Sequence, residues 1–497
     1  MRRREFLRQS SAAVVSATLS STAGALPKAS GSKPNLLFIT VDDMNWSLPG
    51  FMGNKLGLTP NLDRLAESSY RFVHNRTTAP ICQPSREAMM TGRVPHRSGG
   101  LGFTPVNEGV PTLVTVLKAA GYYTAAIHKT EHMQPPSCFP WDSQVTGLDR
   151  KPSIYSDGVK AAIEAAHANK QPFFINCNIN DPHRPFYGST DPYPGSGKTA
   201  EQMDHNEEGE YHIEHELTEN DVEAPSVLEN LPPVRREFAQ YCNSAQRMDV
   251  SIGKVLTVLE ATPEKDNTII FFSADHGMPF PFSKATVYDY GTRTPALLKY
   301  PGMGKPVAFE ERTCNIDYMP TLLDLLGVAQ PTGMDGGSWL PILSGRKVGD
   351  RDYLVTHVNG VASGAQYPMR AIQNERYSLV FTPWSDGKFQ LRIESMIGLT
   401  FPALKEAAET DPRIAARVRQ YVYGIPLAFY DLEKDPDQRV NVIDHPEHQA
   451  QVKIMKDHLL AYMKRTTDPQ LENFQLLLAG KRPIVQQPEK GTPHSRD

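Results

Sequence analysis

Beyond its first thirty residues the chain contains no apolar run of the ~18 residues that a membrane-crossing helix requires. It has no strong excess of either charge: 52 Lys and Arg against 56 Asp and Glu leave a formal net charge of −4. Without a clustered basic excess, nothing in the composition suggests a nucleic-acid partner. Cysteine is scarce, five in 497 residues, and none stands in a CxxC spacing. Zinc-ribbon and thioredoxin-like readings are therefore unsupported. No internal repeat is present, which argues against a solenoid. What is there, 39% hydrophobic and 22% charged residues, describes a soluble globular protein with enough chain for two or three domains.

The N-terminus has a different character. Arg2, Arg3 and Arg4 precede Glu5-Phe6-Leu7, and a mildly apolar Ala/Val/Ser stretch ends in Ala23-Gly24-Ala25. Charged, apolar and small-residue regions in that order read as an export signal. Arg3-Arg4 followed by Phe6-Leu7 resembles a twin-arginine signal, so the expected location is periplasmic or extracellular, in a bacterium. Residues 1–30 are set aside from the fold. The odd cysteine count in an exported chain implies one thiol outside any pair.

Short β-branched and aromatic runs alternate with amphipathic segments, the order of strand–helix units and a largely parallel sheet. Strands are expected at Leu36 to Val41, Tyr122 to Ile127, Pro172 to Ile179 and Thr268 to Phe272. Helices fit Pro60 to Ser68, with Thr59 as N-cap, and Thr112 to Ala120, Ile154 to Ala168 and Arg235 to Leu259. The first and last strands are apolar almost throughout, implying cover on both faces as in doubly wound α/β folds. Residues 201–223, dense in Glu, Asp and His, read as a solvated insertion rather than a metal site. The expected division is an α/β domain over 31–347, a smaller α+β domain over 348–480 and a mobile tail over 481–497. In the smaller domain, strands fit Tyr353 to Val358 and Tyr377 to Phe381, and helices fit Pro402 to Tyr423 and His448 to Arg465.

Ligands of open α/β sheets gather outside the carboxyl ends of the strands. Four expected strands end in reactive side chains: Asp42-Asp43, His128-Lys129 with His132 behind, Asp181-Pro182-His183-Arg184, and Asp275-His276. Any one of these could be an acidic turn. Four on one rim suggest an active site. The carboxylates suit a hard divalent cation, although His276 fits calcium less neatly than an oxygen ligand would. In Cys82-Gln83-Pro84-Ser85-Arg86, Pro84 fits the first turn of a helix and Gly92 its end. Cys82 then sits at a helix N-terminus, as a low-pKa nucleophile or as a plain buried cysteine.

The C-x-P-S-R segment with Thr91-Gly92-Arg93 resembles the signature of type I sulfatases, in the alkaline-phosphatase-like superfamily. The resemblance extends through Asn35 to Asp43, Gly121 to His132, Asp181 to Pro185, Ser273 to Gly277 and Asp317 to Leu323. It implies a large, mixed, mostly parallel sheet flanked by helices. It also implies that a maturation enzyme oxidises Cys82 to Cα-formylglycine, whose hydrate attacks sulfur in covalent catalysis. One calcium ion would be held by Asp42, Asp43, Asp275 and His276 with the residue at Cys82. Arg86 would hold the nucleophile, Lys129 and Lys284 the sulfuryl oxygens, and His183 would be the general acid. The family usually has Gly-Lys-x-His where this chain has His128-Lys129-Thr130-Glu131-His132. Lys129 matches; His132, or else His128, supplies the active-site histidine.

Within sulfatases, Asn180 to Arg184, Gly277 to Pro281, Tyr367 to Arg370, Tyr430 to Leu432 and Asp435-Pro436 look like the N-sulfoglucosamine sulfohydrolases. The expected substrate is a sulfated saccharide, with N-sulfoglucosamine favoured over an O-sulfated glycosaminoglycan or other polysaccharide. A phosphatase or phosphodiesterase of the same superfamily would place Ser or Thr at position 82. A non-catalytic glycan binder would have little reason to keep every polar residue of the rim.

Overall fold

The computed structural model describes residues 33–147, 149–189, 213, 215–346 and 351–484. The expected export signal, most of the 201–223 insertion, the 347/348 domain boundary and most of the expected tail lie outside the described residues.

Fourteen strands form three sheets among the described residues. The largest contains β1 (Asn35–Val41), β2 (Tyr70–Phe72), β4 (Tyr123–Ile127), β5 (Ser143–Val145), β6 (Phe173–Ile179), β7 (Thr268–Ala274), β8 (Ala296–Lys299) and β9 (Ala308–Phe309). Its order is β5-β4-β6-β1-β7-β8-β2-β9. The first five in that order pair parallel, and β8 runs antiparallel to β7 and β2. Two short strands, β3 (Asn75–Arg76) and β10 (Thr313–Cys314), pair beside it.

All seven residues of β1 are buried, and the pleat divides them between two cores. Leu37, Ile39 and Val41 pack with Tyr155, Val159 and Ile163 from helix Pro152–Ala168 and with Tyr241 and Ile252 from helix Pro232–Glu260. Leu36 and Phe38 face Met89, Leu113, Leu117, Leu322 and Trp339 on the other side. Helices thus cover both faces, as the apolar run of β1 requires.

Helix Pro60–Glu67 starts where its Pro60 places it, but Thr59 does not cap it. The Thr59 hydroxyl accepts from Gly50 N instead. The free amides of Asn61 and Leu62 are satisfied from another helix: Asp249 accepts both at 2.9 Å. Asp249→Ala strands these two donors in a largely buried place, so it is expected to cost about 1–3 kcal/mol. Urea melts of the two proteins measure this directly, and an unchanged midpoint would refute the capping role.

The second sheet is antiparallel, in the order β11 (Leu354–Gly360), β12 (Gln366–Gln373), β13 (Tyr377–Phe381), β14 (Leu427–Asp431). One face meets Val452, Met455 and Leu459 of helix Gln449–Thr466; the other joins the core beneath β1. The single helix expected over Pro402 to Tyr423 is two, Thr400–Ala407 and Pro412–Tyr423. Pro412 cannot continue a helix, and Asp411 caps the second one by accepting from Arg413 N. All five cysteines are buried and free, so no disulfide is formed.

Candidate active site

Pairing register brings the four reactive segments together. Val41 lies opposite Ile179 on β6 and opposite Ala274 on β7, so Asp42, Asn180 and Asp275 leave the sheet side by side. Beyond β6, Ile127 of β4 pairs with Cys177 and releases His128-Lys129 onto the same rim. Three of these exits need a left-handed backbone: Asp43, His128 and Lys129 have φ of 64°, 58° and 56°. Such conformations cost on the order of 1 kcal/mol or more each and persist where the surroundings fix them. His128, one place before the lysine, thus takes a conformation that glycine would adopt without a Cβ penalty.

The segment that carries Cys82 forms helix Cys82–Thr91, ended by Gly92 at φ 63°. All ten of its residues are buried. Cys82 Sγ lies 3.5 Å from Asp42 Oδ1 and 3.3 Å from His276 Nε2. Burial, with Asp42 beside it, pushes the Cys82 thiol well above its ordinary range. An unmodified thiol here is a weak nucleophile despite the helix N-terminus, because only the thiolate attacks.

Arg86, one turn along, spans the rim. It donates to Asp42 at 3.2 Å, Asp275 at 2.9 Å and Asn178 at 2.7 Å. Lys129 Nζ reaches Asp42 at 2.7 Å, and Lys284 Nζ reaches Asp43 at 3.0 Å. Burial would neutralise Asp42, but the Lys129 and Arg86 cations hold its carboxyl well below the usual range. Burial raises Asp43 well above that range; Lys284 opposes the shift, while Asp42, Glu394 and Asp275 reinforce it.

Ligand atoms of Asp42, Cys82, Asp275 and His276 lie within 4.8 Å of one another, and those of Asp42, Asp43 and His183 form an adjoining group. His276 Nδ1 is 2.9 Å from the Gly277 carbonyl, which can only accept, so Nε2 keeps its lone pair toward the cluster. Buried carboxylates with one oriented imidazole fit a divalent cation. Asp43 is turned more toward Lys284 and His183 than the other acids are.

His183 projects from the loop after β6, which Asp181 anchors through Arg247 (2.6 and 2.9 Å) and Arg150 (2.6 Å). Its Nε2 faces Asp43 at 3.8 Å and Glu394 at 3.6 Å. Burial and the Lys284 cation hold the ring down to about 3, hence neutral. His132 and His128 part company. The His128 ring turns to the Gly147 carbonyl at 2.6 Å and to Tyr155. His132 is half-buried near Lys129 and Arg86, its ring edge-on to Phe103, and desolvation with these cations keeps it neutral.

Sequence reasoning missed two partners. Asn178 bonds Arg86 and Thr40 from within β6, and its signal was available: Asn176 and Asn178 alternate inside an apolar strand. Glu394 comes from a turn far along the chain and pairs with Lys284 at 2.9 Å. No local pattern announces it.

Known proteins resemble this chain along most of its length. The family model described as Sulfatase matches residues 34–328, and that for the C-terminal part of N-sulphoglucosamine sulphohydrolase matches 275–389. The chain is 27% identical to the human N-sulphoglucosamine sulphohydrolase over 464 residues, covering 88% of this chain and 91% of that one. It is 25% identical to an ulvan-active sulfatase of Formosa agariphila, covering 89% and 82%. Among solved structures, a protein in complex with its substrate D-glucosamine-2-N,6-O-disulfate is similar with a TM-score of 0.66 at 20% identity, covering 89% and 99%. The match over residues 34–328, more than half of the chain, establishes that it belongs to the sulfatase family of hydrolases.

Proposed function

We propose that this sulfatase removes sulfate from a sulfated saccharide, preferring an N-sulfated glucosamine and so cleaving an S–N bond. The convergence of Cys82, Arg86 and the carboxylates on one rim carries the sulfatase chemistry. The N-sulfate preference is supported by the match of residues 275–389 to the C-terminal region of N-sulphoglucosamine sulphohydrolases.

In this reading a maturation enzyme converts Cys82 to formylglycine, whose hydrate supplies the oxygen nucleophile. Asp42, Asp43, Asp275 and His276, with residue 82, would hold one calcium ion, whose charge would lower the pKa of the nucleophile and polarise the sulfate. Arg86 orients residue 82 from one helical turn away. Lys129 and Lys284 flank the site and neutralise charge on the sulfuryl oxygens, and the half-buried His132 adds a polar edge beside Lys129.

His183 protonates the leaving nitrogen, since an amine departing as its anion is prohibitive. Its ring is neutral before substrate arrives, so it must gain a proton as the anionic sulfate offsets the field of Lys284 and Lys129. The export signal read at Arg3-Arg4 would deliver the enzyme to the periplasm or beyond.

The test is a panel of heparin-derived mono- and disaccharides bearing N-, 2-O-, 3-O- or 6-O-sulfate, with released sulfate measured. Fastest release is expected from the terminal N-sulfated glucosamine. Faster release from an O-sulfated sugar would reject the N-sulfate preference while leaving sulfatase membership intact.

A further inference from the structure

Glu394 is an acidic group at an anion-hydrolysing site, and its two oxygens have different surroundings. Oε2 pairs with Lys284 Nζ at 2.9 Å. Oε1 is buried, has no hydrogen-bond donor among the described residues, and lies 3.6 Å from His183 Nε2. The side chain as a whole keeps 22% exposure.

Its position is fixed from behind. Glu394 opens the short helical turn Glu394–Met396, and Ser395 Oγ donates to the Lys284 carbonyl at 3.2 Å. Arg184, next to His183, binds Glu237, which also accepts from Thr400 N at 2.7 Å. The turn and the His183 loop are thus tied to the same supports.

A buried carboxylate oxygen without a donor is costly unless a ligand supplies one. The bridging atom of the scissile bond must come within hydrogen-bonding distance of His183 Nε2 to be protonated, so it also comes near Glu394 Oε1. In an N-sulfate, R–NH–SO₃⁻, that bridging atom carries a hydrogen. In an O-sulfate, R–O–SO₃⁻, it carries only lone pairs, which would face the carboxylate.

Resting on the proposed N-sulfatase reading, we infer that Glu394 is the specificity residue for N-sulfate: its Oε1 accepts the sulfamate N–H of the substrate. When the S–N bond breaks, sulfur passes to the attacking oxygen and nitrogen keeps the bonding electron pair. Nitrogen takes one proton from His183 Nε2 and leaves as R–NH₂, still hydrogen-bonded to Glu394. An O-sulfated sugar gains nothing from Glu394 and meets lone-pair repulsion there. Discrimination of this kind comes from what the site leaves unpaired with the wrong substrate.

The test compares kcat/KM of matured enzyme for glucosamine N-sulfate and glucosamine 6-O-sulfate. Glu394→Met, which removes the acceptor at similar length, is expected to lower the N-to-O ratio about tenfold or more. Glu394→Gln keeps an acceptor oxygen and should retain more of the ratio than methionine does. Should the methionine variant fold poorly by circular dichroism, Glu394→Ala in the same assay reads the same loss. Equal losses on both sugars would make Glu394 a mere support for Lys284 and overturn the inference. A wild-type enzyme that prefers the O-sulfated sugar would overturn the N-sulfate reading itself, and this inference with it.

Discussion

Cys82→Ala is expected to abolish sulfate release, by on the order of 10⁴-fold or more, as loss of a covalent nucleophile does. The chain should remain folded. Cys82 is 2% exposed, its sulfur hydrogen-bonds with Asp42 and His276, and its removal opens a space costing about 1 kcal/mol. The surrounding acids and bases keep each other: Arg86 still holds Asp42 and Asp275, and Lys129 still holds Asp42. Near-wild-type release by the purified, folded variant would show that residue 82 is not the nucleophile.

Removing the divalent ion is expected to have a comparable effect on activity, together with a fall in melting temperature. A ligand held only by the native state stabilises it by RT ln(1 + [L]/Kd), about 2.7 kcal/mol at one hundred times Kd. Chelation followed by calcium should restore both activity and melting temperature better than magnesium or zinc does, because the donors are mostly carboxylate oxygens. Asp275→Asn should weaken calcium binding. Both acids pair with Arg86, and Asp42→Asn is the less clean probe because Asp42 also pairs with Lys129. Breaking buried pairs by removing one partner costs about 3–5 kcal/mol, enough to confuse a binding defect with unfolding. Full activity in enzyme that elemental analysis shows to be metal-free would contradict the metal's role.

The parallel core of the sheet was legible because its strands are buried on both faces and end in charged pairs. β1, β6 and β7 announce both properties in seven-residue segments. The second sheet was half legible. β12 carries Pro368, which reads against a strand. The proline is accommodated because pairing with β11 shifts register between Val358 and Gly360, and pairing with β13 begins only at Arg370. β14 was read from its Tyr430-Asp431 motif rather than as a strand, since Leu427–Asp431 is short and follows directly on Gly424 and Pro426.

At the site, local motifs revealed the groups that sit at strand ends, because position along the chain determines where they emerge. The two candidate histidines could not be separated by sequence, since one residue turns a chain through ~100° in a helix. The left-handed backbone at His128 and Lys129 settles where each ring goes: His128 toward Gly147, His132 toward the buried space near Arg86. Glu394 was invisible for a different reason. It belongs to a turn after β13 and reaches the rim through tertiary contacts, Ser395 with the Lys284 carbonyl and Glu394 itself with Lys284 and His183.

The account's central claim is that Cys82 is the precursor of the nucleophile, and mass spectrometry of the peptide spanning Cys82 from active enzyme tests it most directly. The account predicts that this peptide carries an aldehyde at residue 82, reactive toward hydrazide reagents, in proportion to specific activity. A fully active enzyme whose peptide holds only the unmodified thiol would contradict it.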